Sequence, residues 1–283
     1  MWSPRGAHLR NSPVDLLSAA GVPHPERMAN RPARSLKHEY GLFVEEEIEN
    51  YKESIPRSAL LGIGDEAVSV LAEQAQLVLT ELLLAEEVDR LIFRRLRLPT
   101  YQTWRRRRLK MIQEMRRPEH WGLQADDVVV RSVRPIGEAR VLVAGSAAEA
   151  PALYLAANGC EVTAVAEEED VIERVLNAAA AAGLGERVHA LRADWLAWAP
   201  DAELDAVIVT SAALRGLSAP QRARVIKLLQ GATADGGIHL VETPDARRAG
   251  PTLHELENRY RGWSVSLVRD ASSEMFLARK EMT

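Results

Sequence analysis

The sequence predicts a mostly parallel α/β sheet closed by an antiparallel hairpin and preceded by an all-α N-terminal domain. Three observations lead there. Apolar residues recur at helical spacing from Lys37 to Met115. After Pro118 short apolar segments alternate with helical ones to the end of the chain. The last two apolar segments are separated only by Arg269 to Glu274, too few residues for a helical crossover. The expected organisation is a tail over 1–36, a helical domain over 37–117 and an α/β domain over 118–283.

The tail is basic and carries Pro4, Pro13, Pro23, Pro25 and Pro32 without an apolar run, so it reads as flexible and not as a secretory signal. Met28 offers an alternative start. The first helix places Tyr40, Phe43, Val44, Ile48 and Tyr51 on one face and Glu45, Glu46, Glu49 and Glu53 on the other. Ile55-Pro56 ends it or begins the next helix, and Gly62-Ile63-Gly64 is expected to be a second break. A long helix capped by Asp65 then carries Val68, Leu71, Ala75, Val78, Leu82, Ala85, Asp89, Ile92 and Leu96 as a heptad seam. The seam admits two readings, the core stripe of a helical domain or a coiled-coil homodimer with Asp89 setting register. Leu79, Leu83 and Val88, off the seam, favour the first.

A last helix runs from about Pro99 to Met115, with Tyr101, Trp104, Ile112 and Met115 as its apolar positions. Between Arg90 and Arg117 there are eleven basic side chains and one acid, Glu114. Arg105, Arg106, Arg107 and Arg108 are consecutive, and such a cluster can neutralise phosphates of a nucleic acid. Four successive residues, however, point all round a helix, which favours solvated or ion-paired arginines.

The α/β half offers strands at Val141–Ala144, Val162–Val165, Val188–Arg192, Ala206–Thr210, Ile238–Val241, Ser264–Val268 and Met275–Ala278, with helices between the first five. Within it RVLVAGSAAEAPALYLAANGCEVTAVAEE, Arg140 to Glu168, is a βαβ unit of the kind that places a ligand at the carboxyl ends of strands. Gly145 opens the turn after the first strand. Gly145, Ala147 and Ala150 also form a G-x-A-x-x-A variant of a dinucleotide loop.

At 283 residues, with 47% apolar and 27% charged residues and a net charge of -4, the chain is an ordinary globular protein without a global bias toward polyanions. The single cysteine, Cys160, excludes an intrachain disulfide and a thiolate metal site built within one chain, and suits a reducing cytoplasm. No apolar run reaches the roughly 18 to 20 residues of a membrane span, and no metal is expected.

The order of five alternating strands and helices followed by a closing hairpin resembles the class I S-adenosylmethionine-dependent methyltransferases, whose sheet is Rossmann-like. RPEHWGLQADDVVV, ALYLAANGCEVTAV, RADWLAW, ADGGIHLVE, GWSVSLV and MFLARK are similar to successive segments of small-molecule methyltransferases of the tellurite-resistance type. The resemblance covers about Arg117 to Lys280. It implies S-adenosylmethionine as cofactor, with Gly145, Ser146 and Ala147 as the cofactor loop, Glu167 on the ribose and Asp194 on the adenine amino group. Trp195 is implied as a backbone contact or a stacking ring. It also implies acceptor contacts at Thr210 and Ser211, and a pocket closed by His120 and Trp121.

Four positions depart from the pattern. The family's first-strand acid falls on Val143, its next glycines on Ala147 and Glu149, and its second-strand acid on Ala166, one residue before Glu167. The expectations are therefore an active methyltransferase acting on a small molecule, an inactive scaffold engaging a protein partner through the helical domain, or, third, a dinucleotide-binding protein. No catalytic residue is implied.

Overall fold

The computed structural model describes residues 35–72, 81–134, 138–210, 212–243, 250–269 and 274–282. The expectations for 1–34, for Ala75, Val78 and Leu79 and for Ser211 fall outside these residues. The chain forms two compact units that divide after Tyr101. The fourth helix thus belongs with the α/β unit, not with a helical domain ending at residue 117.

In the helical unit, α1 (Leu36–Ser54) is capped by the Ser35 hydroxyl, which accepts from His38 N at 3.2 Å. It ends at Ile55, whose extended backbone is the conformation that Pro56 favours in the residue before it. Its expected face is the one turned inward: Ile48 is buried and Val44 and Tyr51 pack beside it.

Where a single long helix was expected from Asp65, two helices, α2 (Arg57–Ala72) and α3 (Glu81–Leu96), pack against each other. Gly62 and Gly64 lie inside α2 and do not break it. Burial of Ile63, Ala67 and Leu71 on one face offsets the roughly 1 kcal/mol that each helical glycine costs. Val68 of the expected seam is exposed, so the inward face is rotated from the predicted one. Asp89 lies 2.8 Å from Lys52 of α1, an ion pair within the chain.

The α/β unit opens with α4 (Tyr101–Met115), a 3-10 turn (Pro118–Trp121) and α5 (Val128–Ser132). There follow β1 (Arg140–Ala144), α6 (Glu149–Ala157), β2 (Glu161–Ala166), α7 (Glu169–Ala181), β3 (Val188–Arg192) and β4 (Leu204–Val209). The chain closes with α8 (Ala219–Gly231), β5 (Thr233–Glu242), α9 (Leu253–Arg259), β6 (Trp263–Arg269) and β7 (Glu274–Lys280). All seven expected strands are present. The sheet order is β3-β2-β1-β4-β5-β7-β6, with the first five parallel and β7 antiparallel to both β5 and β6.

Alternation along the strands builds two cores. Val141 and Val143 of β1, Val162 and Ala164 of β2 and Ala206 and Ile208 of β4 face α6 and α7, where Leu155, Val175 and Ala179 meet them. Leu142, Ala144, Val165, Val207 and Val209 face the other way, against Val225, Ile226 and Leu229 of α8 and Leu256 of α9. Of the expected crossover helices, the one between β3 and β4 is replaced by turns. Trp195 enters the second core there, and Pro200 cannot donate to a helical ladder.

In α4 the expected inward positions Tyr101, Trp104, Ile112 and Met115 are at least partly covered, while Arg105, Arg106 and Arg107 are exposed and Arg108 is half-buried. The consecutive arginines thus spread round the helix. No helix among the described residues is long and apolar enough to cross a membrane, and none of their His, Cys, Asp and Glu side chains form a metal-binding group of three.

Candidate functional site

The chain leaves β1 toward β2 and β3 on one side, and β4 resumes on the other, so the sheet's switch point lies between β1 and β4. Crossover connections there leave a crevice outside the carboxyl ends of the strands. The parallel strands bring the residues that follow them to this one edge: Gly145 after β1, Glu167 after β2, Asp194 after β3 and Thr210 after β4. Backbone hydrogen bonds continue the ladders past the strand ends. Gly145 N donates to Val165 O at 2.8 Å, Ala193 N to Ala166 O at 3.1 Å and Thr210 N to Ala144 O at 3.0 Å.

Gly145 has φ of +108°, where a side chain is strained. A Cβ placed on it would lie 2.0 Å from Thr210 Oγ1 and 3.1 Å from Ala213 N. The glycine is therefore required by the chain's own packing against the loop after β4. Thr210 is 8% exposed, and its hydroxyl has no hydrogen-bond partner among the described residues. Buried polar groups are ordinarily satisfied, so this one marks a place that a further polar group completes. Thr210→Val replaces the orphaned hydroxyl by a methyl of similar shape. It is expected to stabilise the ligand-free protein by about 1 kcal/mol, seen as a rise of roughly 2 to 4 °C in the melting temperature. A lower melting temperature would show that the hydroxyl is already satisfied.

Glu167 is the first residue beyond β2 and is exposed; its carboxylate has no hydrogen bond or ion pair among the described residues. Its carbonyl accepts from Arg192 Nε at 3.0 Å, which fixes the backbone beneath the free side chain. Ala166, one residue earlier, is packed at 1% exposure with Val171 and Ile172. Ser146 and Ala147 are exposed in the turn before α6. Glu149, in the first turn of α6, lies 3.6 Å from Arg174 of α7. A carboxylate favours that helix end, and the arginine partly neutralises it.

Asp194 Oδ1 accepts from Leu196 N at 2.8 Å, and the Asp194 carbonyl accepts from Ala197 N and Trp198 N. The side chain therefore caps the turn that follows and keeps one oxygen for another partner. The indole of Trp195 is 3% exposed and meets Trp198 edge-on at 5.8 Å between ring centres. A ring in the core cannot stack on a ligand in the crevice; only its backbone remains for the expected contact. An apolar side chain three residues beyond a strand was the signal, and packing claimed it.

The 3-10 turn holds His120 and Trp121 elsewhere. Trp121 Nε1 donates to Met115 O at 2.6 Å, and its ring packs on the first core, with His120 against it edge-on at 4.7 Å. The adjoining Arg116 carbonyl accepts from Asn158 Nδ2 at the carboxyl end of α6, the end away from Gly145. The indole is a packing anchor and not a wall of the crevice.

A buried polar chain on β5 was not foreseen. Thr233 Oγ1 donates to Leu229 O and lies 2.7 Å from His239 Nε2, and His239 Nδ1 lies 2.7 Å from Tyr260 Oη. Because the threonine proton is committed to Leu229, Nε2 carries the imidazole proton and Nδ1 accepts from Tyr260. Nothing in the strand's sequence distinguishes His239 from an exposed polar position.

Strand order 3-2-1-4-5-7-6 has the expected five parallel strands and closing antiparallel hairpin, with β7 lying between β5 and β6. The fold is a mostly parallel seven-stranded α/β sheet closed by an antiparallel hairpin. No protein-family model matches the sequence, and no curated protein does. Among solved structures the chain is similar to TehB from Haemophilus influenzae, at 19% identity over 54% of this chain and 61% of that one, with a TM-score of 0.44. A putative O-methyltransferase from Nostoc punctiforme PCC 73102 matches at 15% identity over 60% of each chain, TM-score 0.45. The N-methyltransferase NodS from Bradyrhizobium japonicum WM9 matches at 15% identity over 62% of this chain and 96% of its own, TM-score 0.44. The chain thus spans about three fifths of the length of the first two.

Proposed function

We propose that the α/β unit of this methyltransferase-like protein binds S-adenosylmethionine in the crevice between β1 and β4 and transfers its methyl group to a small molecule. The observation that carries this reading is the buried, unpartnered Thr210 hydroxyl beside Gly145, at the point of the sheet where a ligand would complete it. The free carboxylate of Glu167 suits ribose hydroxyls, and the uncommitted oxygen of Asp194 suits an adenine amino group.

The cofactor, when bound, supplies an already activated methyl group, so the chain's contribution is positioning and the electrostatic surround. Glu167 and Asp194 would orient the nucleoside, while Thr210 would face the reacting end. The lack of an implied catalytic base does not prevent such a transfer. The missing contacts weaken binding instead: each charge-assisted hydrogen bond lost costs roughly 1.5 to 3 kcal/mol.

Calorimetric titration with S-adenosylmethionine and S-adenosylhomocysteine tests the reading. Binding is expected to fall about tenfold or more in Glu167→Gln, which removes the charge and keeps the shape. Asp194→Asn is the companion variant because an asparagine keeps the cap on Leu196 N. No heat with either ligand at millimolar concentration would sink the proposal.

A second reading, a scaffold without catalysis, is favoured by Val143, which is fully buried between Ala164 and Ile208 where the resemblance calls for an acid. In that reading the helical unit engages a protein partner. The same titration separates the two.

A further inference from the structure

The two edges of the sheet differ. The β3 edge is five residues long and carries His189 and Arg192. The β6 edge is seven residues long, and from Trp263 to Val268 it has no charged side chain. Exposed edges without charge, proline or cover are templates for another strand.

The direction of the free groups follows from the ladder. Thr243 N donates to Glu274 O at 3.1 Å, so Glu274, Phe276 and Ala278 turn their backbone groups toward β5. Met275, Leu277 and Arg279 turn theirs toward their partners Val268, Ser266 and Ser264 of β6. Val265 and Leu267 must then direct their N–H and C=O groups outward. Arg269, in the same phase, has its carbonyl covered by Arg131 Nη2 at 2.8 Å, which closes that end of the edge. No described residue hydrogen-bonds to the outward groups of Val265 or Leu267, and their side chains are 43% and 39% exposed.

We propose that β6 pairs with β6 of a second copy of this chain, antiparallel about a two-fold axis through Ser266, to form a homodimer with one continuous sheet. An isologous contact requires a self-complementary segment, and this one is. In that register Val265 stands opposite Leu267 of the second copy, and Leu267 opposite its Val265. The four outward main-chain groups of each copy are then satisfied. No like charges meet within Trp263–Val268, and the pairing stops short of Arg269, whose carbonyl Arg131 already covers. Ser266 faces itself as a non-hydrogen-bonded pair, with Cα atoms about 4.5 Å apart, inside the range that a disulfide spans.

That register gives the test. In the full-length protein, Ser266→Cys is expected to form a covalent dimer on mild oxidation, whereas Ser264→Cys, opposite Val268, is not. The native Cys160 is buried and does not interfere. Sedimentation of the wild type should show a dimer at micromolar concentration, and Val265→Lys should weaken it roughly a hundredfold with its circular dichroism unchanged. If Val265→Lys fails to fold, the cysteine pair decides. A wild type that remains monomeric at 100 micromolar or so, as it would if another segment or another protein covers β6, overturns the proposal. Ser264→Cys cross-linking as readily as Ser266→Cys does so too.

Discussion

Gly145→Ala is expected to destabilise the protein by about 3 kcal/mol or more, from a left-handed conformation costing roughly 1 to 2 kcal/mol and overpacking costing 1 to 3. Both terms apply because the added methyl would meet Thr210 Oγ1 at 2.0 Å while φ stays at +108°. The turn cannot easily relax. Gly145 N is held by Val165 O, the Gly145 carbonyl accepts from Ala148 N, and Thr210 N is held by Ala144 O. Urea unfolding measures the loss. The double variant with Thr210→Ala should recover part of it by removing the hydroxyl that the methyl strikes, which a purely backbone effect would not allow. A single variant within 1 kcal/mol of wild type would show that the loop after β4 packs differently.

Stability is also expected to fall steeply below pH 6.5 because of His239. The ring is fully buried, and burial, followed by the positive charge of Lys280, holds its pKa down to about 3 against 6.5 when unfolded. Its hydrogen bonds act in the same sense. A proton on Nδ1 would displace the one that Tyr260 donates, leaving a buried phenol, itself pushed upward by burial, without an acceptor.

The unfolded chain therefore binds a proton between pH 6.5 and about 3 that the folded chain refuses. The stability is fully present above pH 6.5 and is lost as pH falls toward the folded value, at about 1.4 kcal/mol per pH unit. At pH 4.5 the loss from this residue alone is about 3 kcal/mol. His239→Gln keeps hydrogen-bonding groups and does not titrate. It should be less stable than wild type at pH 7 by about 1 to 3 kcal/mol and lose less per pH unit below 6.5. Parallel stability curves for the two proteins between pH 7 and 4.5 would show that His239 titrates normally.

The candidate site was readable in unequal parts. Gly145, Glu167, Asp194 and Thr210 follow apolar segments of strand length, and a parallel sheet must put such positions on one edge. Trp195 lies near that register in sequence and Trp121 well before the first strand, yet both rings serve packing. Whether an aromatic ring faces a crevice or a core depends on which neighbouring face lacks apolar cover, and that face is built from distant segments. The paired state of Glu149 needed Arg174 from the next helix, and the polar chain of His239 needed Tyr260, 21 residues away.

By itself the sequence determined the seven strands, the closing hairpin, the helical half and the residues at the carboxyl edge. All of these follow from local periodicity and from crossover lengths that admit one handedness and one pairing sense. Tertiary structure alone decided that Asp65 to Leu96 is not one helix, that α4 joins the α/β unit, and that β3 reaches β4 through turns. It also decided that Gly145 is held by Thr210. In each case local propensity allowed more than one outcome, and the structure has Ile63, Trp195 and Met115 buried, which depends on how distant segments meet.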